Sequence, residues 1–359
     1  MSKGGNCTKR ATWKKILHDR RCKKYSKRKQ KKTRKIFYNK AQRNKEIYTN
    51  KYTSTISKRY ITPKVFSLID NANETIEYFN ELSQGILEKI PRKQFLIDSS
   101  GVEHVTVDAL IYLIAIMENM KLNKTMQYSF SGNWPQCKKA EIVYKDSGFA
   151  DYVKSKAKTF PVNKSKVRIR SGINNNPRIA QEISDFIISE LDVKIKDIIF
   201  IQKILGELMS NAFYHAYDDR TKDMYSKWYL YAEHVKDKIR IIFADTGRGI
   251  AGTVRRKKSE KVKEFIFGLK DEDLLYHAFQ PGNFIRTETK ESYRGNGLPG
   301  IKAIVEDSPI SSFWVFSGKG GLCIDGTTIG PKRLTKHGYL HKMYGTMVVF
   351  EFSEGGISK

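Results

Sequence analysis

The chain has 359 residues, of which 40% are hydrophobic and 12% aromatic, and its formal net charge is +28. This length exceeds the size at which single hydrophobic cores stop growing, so we expect two domains. No apolar run approaches the ~18 residues of a membrane span. The basic N-terminus lacks the apolar stretch of a secretory signal, and none of the four cysteines stands in a C-x-x-C pair, so we expect a cytoplasmic protein with free thiols.

Residues 1–60 form a basic segment, with 22 Lys and Arg against two acids, Asp19 and Glu46. Such a segment repels itself and buries too little apolar surface to fold alone. We expect a disordered or partly helical tail that binds the phosphates of DNA, RNA or a ribonucleoprotein. The alternative is a solvated tail that only aids solubility. An anionic membrane is disfavoured as a partner because no amphipathic apolar stripe accompanies the charge.

Residues 61–158 alternate helical and strand-like patterns, which indicates an α/β unit. The predicted elements are a helix over 73–87, a strand over 95–97, a helix over 109–120, a strand over 126–131 and a helix over 135–144. Two stretches of this region, LIDSSGVEHVTVDAL (Leu96 to Leu110) and KDSGFADYV (Lys145 to Val153), resemble the STAS domain of anti-sigma-factor antagonists. The resemblance implies a domain that docks a protein partner.

The resemblance to the antagonists breaks at their phosphorylated serine, which precedes the long helix. Asp108 occupies the matching position here. A carboxylate does not form a stable phosphate ester, although it can imitate the modified state. Other candidate acceptors are Ser99, Ser100 and Thr106. Turn chemistry explains these residues more simply, so docking without phosphorylation is the favoured interpretation.

Residues 159–176 are basic and end in NNNP, so we predict a linker followed by a helix that begins at Pro177. Residues 177–355 form the second predicted domain. Its first motif, GELMSNAFYHA, lies in a helix predicted over 198–217, where Glu207, Asn211 and His215 recur every four residues as one polar stripe. An amide oxygen beside a carboxylate suits hydrated Mg²⁺, and Glu207 could activate a water or hydroxyl. A solvated helix face is the alternative.

The second motif ends the second of two apolar strands, predicted over 228–235 and 238–250. A buried carboxylate at Asp245 could accept a hydrogen bond from an adenine amino group. Gly247 and Gly249 would let the chain turn and a purine approach the backbone. A plain strand-to-loop turn is the alternative, because D-x-G is common in turns.

The third motif, RGNGLPGIKAIVED (Arg294 to Asp307), contains G-x-G-x-x-G. The text before it is polar and lacks a strand, which excludes a dinucleotide-binding fold. What remains is a glycine loop at a helix N-terminus, where backbone N–H groups favour phosphate. Residues 252–293 would by position be a lid over the phosphates. Its RRKK stretch, Arg286 and Arg294 could neutralise charge on a γ-phosphate, and we single out Arg286 and Arg294 because they flank the glycine loop.

In this order the three motifs and a fourth, YGTMVVFEF (Tyr344 to Phe352), resemble the GHKL superfamily of ATPases. The resemblance implies an α/β sandwich whose mixed sheet is covered by helices on one face. It also implies that Glu207 is the catalytic base, Asn211 the Mg²⁺ ligand and Asp245 the adenine-reading carboxylate. With ATP and Mg²⁺ as cofactors, the candidate ATP-binding residues are Asn211, His215, Asp245, Gly247, Gly249, Ile250, Arg286, Arg294, Gly295, Asn296, Gly297, Leu298 and Thr346.

The fold class alone does not name the reaction. The sequence ends seven residues after Phe352, so we expect none of the transducer domains of topoisomerases, chaperones and mismatch-repair enzymes. No phosphoacceptor helix pair of a sensor kinase is visible. Two hypotheses remain. The protein is a regulatory switch that hydrolyses ATP or phosphorylates a protein Ser/Thr, or it is an ATP-gated nucleic-acid adaptor with slow turnover, in a bacterial regulatory or defence system.

Overall fold

The computed structural model describes residues 56–87, 92–121, 127–153, 163–215, 227–257, 259–282, 297–326 and 332–353. These residues form a mixed α/β fold with three sheets. The elements of the N-terminal half are β1 Ile56–Ile61, β2 Val65–Phe66, α1 Ala72–Leu87, β3 Arg92–Asp98, β4 His104–Val105, α2 Val107–Lys121, β5 Gln127–Gly132, α3 Lys138–Asp146 and α4 Phe149–Tyr152.

The C-terminal half begins with a strand and continues with paired helices and hairpins. Its elements are β6 Lys166–Gly172, α5 Pro177–Leu191, a 3-10 turn Ile195–Ile198, α6 Ile199–His215, β7 Trp228–Val235, β8 Lys238–Asp245, α7 Gly249–Val254, α8 Glu260–Ile266, α9 Asp271–Ala278, α10 Gly297–Asp307, β9 Ile310–Asp325 and β10 Arg333–Ser353. The predicted helices and strands of both halves are confirmed with their ends shifted by a few residues, except that the strand predicted over 238–250 ends at Asp245 and Gly249 begins α7.

Two segment boundaries differ from the sequence prediction. Residues 56–60, assigned to the basic tail, belong to β1, which lies beside β3 in a three-stranded sheet of order β1-β3-β5. The predicted linker 159–176 contains β6, which pairs antiparallel with β7. The predicted helix start is confirmed: Asn176 caps α5 by accepting a hydrogen bond from the Arg178 amide, and Pro177 occupies the first turn.

The large sheet has five strands in the order β6-β7-β8-β10-β9, and every neighbouring pair is antiparallel. The expectation of a mixed sheet is therefore wrong for these strands. For β7 and β8 the physical reason lies in the connection, because a chain that returns through a tight turn pairs antiparallel. Strands β7 and β8 are joined by only two residues, Lys236 and Asp237, with Lys236 at a φ of 58°.

One face of this sheet, which we call the inner face, is covered by helices of the C-terminal half. Buried apolar residues of α5, α6 and α10 pack there on alternate residues of the central strands. Representative members of this core are Ile183, Leu205, Phe243, Ile301 and Val348. Burying each such side chain contributes about 1.5–3 kcal/mol, so this layer fixes α6 and α10 on the sheet.

The opposite face, the outer face, is also covered. The N-terminal helices α1 and α2 contact β10, β7 and β8 there, and Tyr229, Ile242 and Met347 share one buried core with Leu110 and Ile114. The expectation of helices on one face is therefore incomplete. Except for Ile56, Arg92, Lys93 and Gln127, the described residues of both halves belong to one compact unit.

Candidate functional site

The first motif lies on α6, whose apolar residues Leu208, Met209 and Ala212 are buried against the sheet. Glu207 is exposed and Asn211 is half-buried, so these two polar residues lie at the edge of the packed layer. The Nδ2 atom of Asn211 is buried and has no hydrogen-bond partner among the described residues. A buried donor of this kind costs about 1–3 kcal/mol, so the position suits a ligand that supplies an acceptor.

The third motif meets the first where α10 begins. A Cβ atom built on Gly297 would lie 2.8 Å from Oε2 of Glu207 and 3.6 Å from Oδ1 of Asn211. Any larger residue at this position would therefore push against the carboxylate. Leu298, the next residue, is partly buried against the inner core and holds the start of the helix in place. The structure thus brings Glu207, Asn211 and Gly297 together.

The second motif places Asp245 at the end of β8. On this strand Ile241 and Phe243 belong to the inner core, whereas Ile242 and Ala244 belong to the outer one. Because successive side chains of a strand point to opposite faces, Asp245 projects from the inner face, the face that carries α6. In the ladder, Asp245 lies opposite Thr346 of β10, which is on the same face by the same alternation.

The carboxylate of Asp245 is held by its neighbours. The Gly247 amide donates a hydrogen bond of 2.7 Å to Oδ1, and the buried Thr346 also hydrogen-bonds to the side chain. Burial raises the pKa of Asp245 to about 6, and these hydrogen bonds act in the opposite direction by stabilising the charged form. A carboxylate whose pKa is raised by desolvation is a common feature of ligand sites.

A serine that the sequence analysis missed connects the second and fourth motifs. Ser317 of β9 is fully buried; its Oγ accepts a hydrogen bond of 2.7 Å from the Ile250 amide and donates one of 3.2 Å to the Gly345 carbonyl. Gly249 has a φ of 74°, and a Cβ there would lie 2.4 Å from this Oγ. No sequence signal marks Ser317, because it is one small polar residue within an apolar strand.

Several predicted residues lie outside the described part of the chain. These are Arg286, Arg294, Gly295, Asn296 and most of the basic tail, while His215 is the last residue of α6 with its side chain outside that part. Within the RRKK stretch, Arg255 donates a 2.7 Å hydrogen bond to Asp271 Oδ1 at the start of α9. This ion pair fastens the segment after α7 to α9.

Three candidate positions of the N-terminal half, Asp108, Ser99 and Ser100, have structural partners, whereas the buried Thr106 hydroxyl has none among the described residues. Asp108 is fully buried in the first turn of α2, and its Oδ1 accepts a 2.8 Å hydrogen bond from the Leu68 amide. Desolvation raises its pKa, and its full burial keeps this carboxyl from contacting a partner. Ser99 is buried and accepts from the Tyr144 hydroxyl, and Ser100 Oγ donates to Asp98 Oδ1 at 2.7 Å.

Among the described residues, no group of three or more His, Cys, Asp or Glu side chains could hold a metal ion. No helix in the described ranges is long and apolar enough to cross a membrane.

Neither a scan against protein-family models nor a search of curated proteins found a match to this chain.

Proposed function

We propose that the C-terminal half is an ATP-binding module of the GHKL type and that the protein is a Mg²⁺-dependent ATP-hydrolysing switch. The adjoining N-terminal half, with its STAS-like motifs, would be its regulatory or partner-binding part. Four motifs in the order typical of the superfamily support the proposal. The positions of Asp245 and Thr346 on the sheet face that carries Glu207 and Asn211 support it independently.

The observation that carries this proposal is the approach of Gly297 to Glu207 and Asn211. A residue without a side chain at the first position of α10 lets the carboxylate and the amide approach the backbone of the helix start. The N-terminus of a helix supplies free backbone N–H groups and a favourable dipole for phosphate. In this proposal a carboxylate, an amide oxygen and a helix N-terminus that would bind phosphate lie close together, as the cleavage of a phosphoanhydride requires.

Each side chain has a distinct role in this proposal. Glu207, which is exposed, would accept a proton from the attacking water or hydroxyl. Asn211 would direct its amide oxygen to Mg²⁺, which supplies charge neutralisation on the phosphates when bound. Asp245 would accept a hydrogen bond from the adenine amino group, and Thr346 and Gly247 would fix the orientation of its carboxylate.

The test incubates the full chain with γ-labelled ATP and Mg²⁺ and follows free phosphate and labelled protein separately. Released phosphate indicates hydrolysis, whereas label retained on the protein or on an added protein indicates phosphoryl transfer. Asp245→Asn should weaken ATP binding, and Glu207→Ala should abolish turnover while ATP still binds. Asp185→Asn, on an exposed part of α5, is the matched control and should behave as wild type. Unchanged ATP affinity in Asp245→Asn would contradict the site assignment.

A second candidate function is an ATP-gated nucleic-acid adaptor with slow or no turnover. The observation in its favour is the density of Lys and Arg in residues 1–60. In this alternative, nucleotide binding changes how the basic segment engages DNA or RNA. The same labelled-ATP assay separates the two functions, because phosphate release that depends on added DNA or RNA favours the adaptor.

A further inference from the structure

Helix α2 of the N-terminal half lies against the outer face of the sheet, behind the strand ends that carry Asp245 and Thr346. The hydroxyl of Tyr112 accepts a hydrogen bond of 2.6 Å from the backbone N–H of Tyr344, two residues before Thr346. Tyr112 is 4% exposed and Tyr344 is 49% exposed, so this contact lies where the buried core meets the surface. A residue of one half therefore holds the backbone beside a candidate ligand group of the other.

The backbone held by Tyr112 is irregular, which explains why it needs an outside acceptor. The pairing of β10 with β9 shifts its register between Met343 and Thr346. Gly345, inside this shift, has a φ of 81°, and a Cβ there would lie 1.9 Å from the Asp245 carbonyl oxygen. A bulge disrupts the ladder and re-aims the following side chain, and an N–H that loses its ladder partner there can donate to another acceptor. Tyr112 is that partner for Tyr344.

A second contact from α2 reaches the other strand that flanks Asp245. Glu118 accepts a 2.6 Å hydrogen bond from the Tyr229 hydroxyl and a 3.0 Å one from Lys227 Nζ. The backbone of Lys227 in turn makes two hydrogen bonds with Thr246, the residue after Asp245. The Lys227 N–H donates to Thr246 Oγ1 at 3.2 Å, and the Lys227 carbonyl accepts from the Thr246 amide at 3.1 Å.

We propose that Tyr112 and Glu118 are positioning residues for Asp245, so that the N-terminal half sets how strictly the site selects adenine without touching the nucleotide. The inference rests on the proposed ATP site. Its physical basis is that α2 holds both strands beside β8 close to this carboxylate. Tyr112 contacts β10, and Glu118 contacts the start of β7. A carboxylate that reads one amino group needs its position held to within a fraction of an ångström.

The test measures Kd of the full chain for ATP and for purine riboside triphosphate, which lacks the 6-amino group but carries the same sugar and phosphates. The Kd for purine riboside triphosphate divided by the Kd for ATP reports only on recognition of the amino group. General loss of stability changes both constants together and leaves the ratio constant. Losing the hydrogen bond between the adenine amino group and Asp245 weakens ATP binding by a factor of about 2–12. We therefore expect Tyr112→Phe to lower the wild-type ratio by about three- to tenfold.

The matched control is Tyr144→Phe. Tyr144 is also a buried tyrosine, 2% exposed, but its hydroxyl donates to Ser99 within the N-terminal half at 3.2 Å. This variant should lose similar stability and keep the wild-type ratio. Glu118→Gln should also lower the ratio, because the charge that holds Lys227 is removed, and it tests the inference independently if Tyr112→Phe folds poorly.

The outcomes separate this inference from the proposed function. If the wild type binds ATP but Tyr112→Phe and Glu118→Gln keep its ratio, the positioning role is refuted while the ATP site stands. An equal fall in Tyr144→Phe refutes it as well, because the effect would then be global. If the wild-type chain binds neither nucleotide, the proposed function fails and this inference fails with it.

Discussion

Replacing Gly297 by alanine adds one methyl group at the point where the first and third motifs meet. The new Cβ would lie 2.8 Å from Glu207 Oε2, which is closer than such atoms normally approach. The atom that must move is the end of a flexible, exposed side chain, so the clash destabilises the fold only slightly. Alanine is the better helix former by up to about 1 kcal/mol. We therefore expect the free energy of unfolding to stay constant or to rise by up to about 1 kcal/mol.

Activity should respond in the opposite direction to stability. A displacement of about 1 Å in a catalytic group costs on the order of 100-fold in rate, so Gly297→Ala should reduce ATP turnover by one to two orders of magnitude. The assays are steady-state phosphate release and urea denaturation of the same preparations. Gly300→Ala is the control on the same helix, because a Cβ there has no neighbour within 4 Å. Equal turnover in the two variants would refute the assignment of Glu207 beside this helix end.

Three further predictions concern other parts of the chain. Gly345→Ala should destabilise the fold by more than Gly268→Ala in urea denaturation: both glycines have a positive φ costing about 1–3 kcal/mol, but only at Gly345 would the Cβ collide with the Asp245 carbonyl. Because the folded-state pKa of Asp245 is raised from 3.8 to about 6, its contribution to stability is present below about pH 4 and lost as the pH rises to about 6. The unfolding free energy of the wild type should therefore fall over this range relative to Asp245→Asn, by up to about 3 kcal/mol, and a parallel pH profile would contradict the raised pKa of this carboxyl. Deleting residues 1–50 should abolish a salt-sensitive affinity for DNA or RNA in a titration at two salt concentrations, and unchanged binding would rule out the tail as the contact.

The sequence predicted elements well where local signals were strong. The start of α5 at Pro177 and the strand that ends at Asp245 follow from capping, proline and apolar patterns, which act over a few residues. The spacing of Glu207 and Asn211 predicted that both lie on one stripe of α6, because helical periodicity is also local.

The rest depended on contacts between distant residues. Strand β6 was taken as linker because KVRIRSG is short and basic, and only its pairing with β7 reveals it. Ser317 and Tyr112 carry no signal, since a serine in a strand and a tyrosine in an apolar helix are ordinary until their partners are known. The outer cover of the sheet was missed because an apolar run such as that of β7 indicates burial without naming what buries it.

The sheet buried on both faces also bears on how this protein can change over generations. If a gene rearrangement separated the two halves, the C-terminal piece would expose Tyr229, Ile242 and Met347 as one apolar surface, which favours aggregation. The N-terminal piece would in turn lose the cover over Leu110 and Ile114. Neither half can therefore be exchanged freely for a homologous module, and a substitution on one side of this contact is expected to be tolerated only with a compensating change on the other.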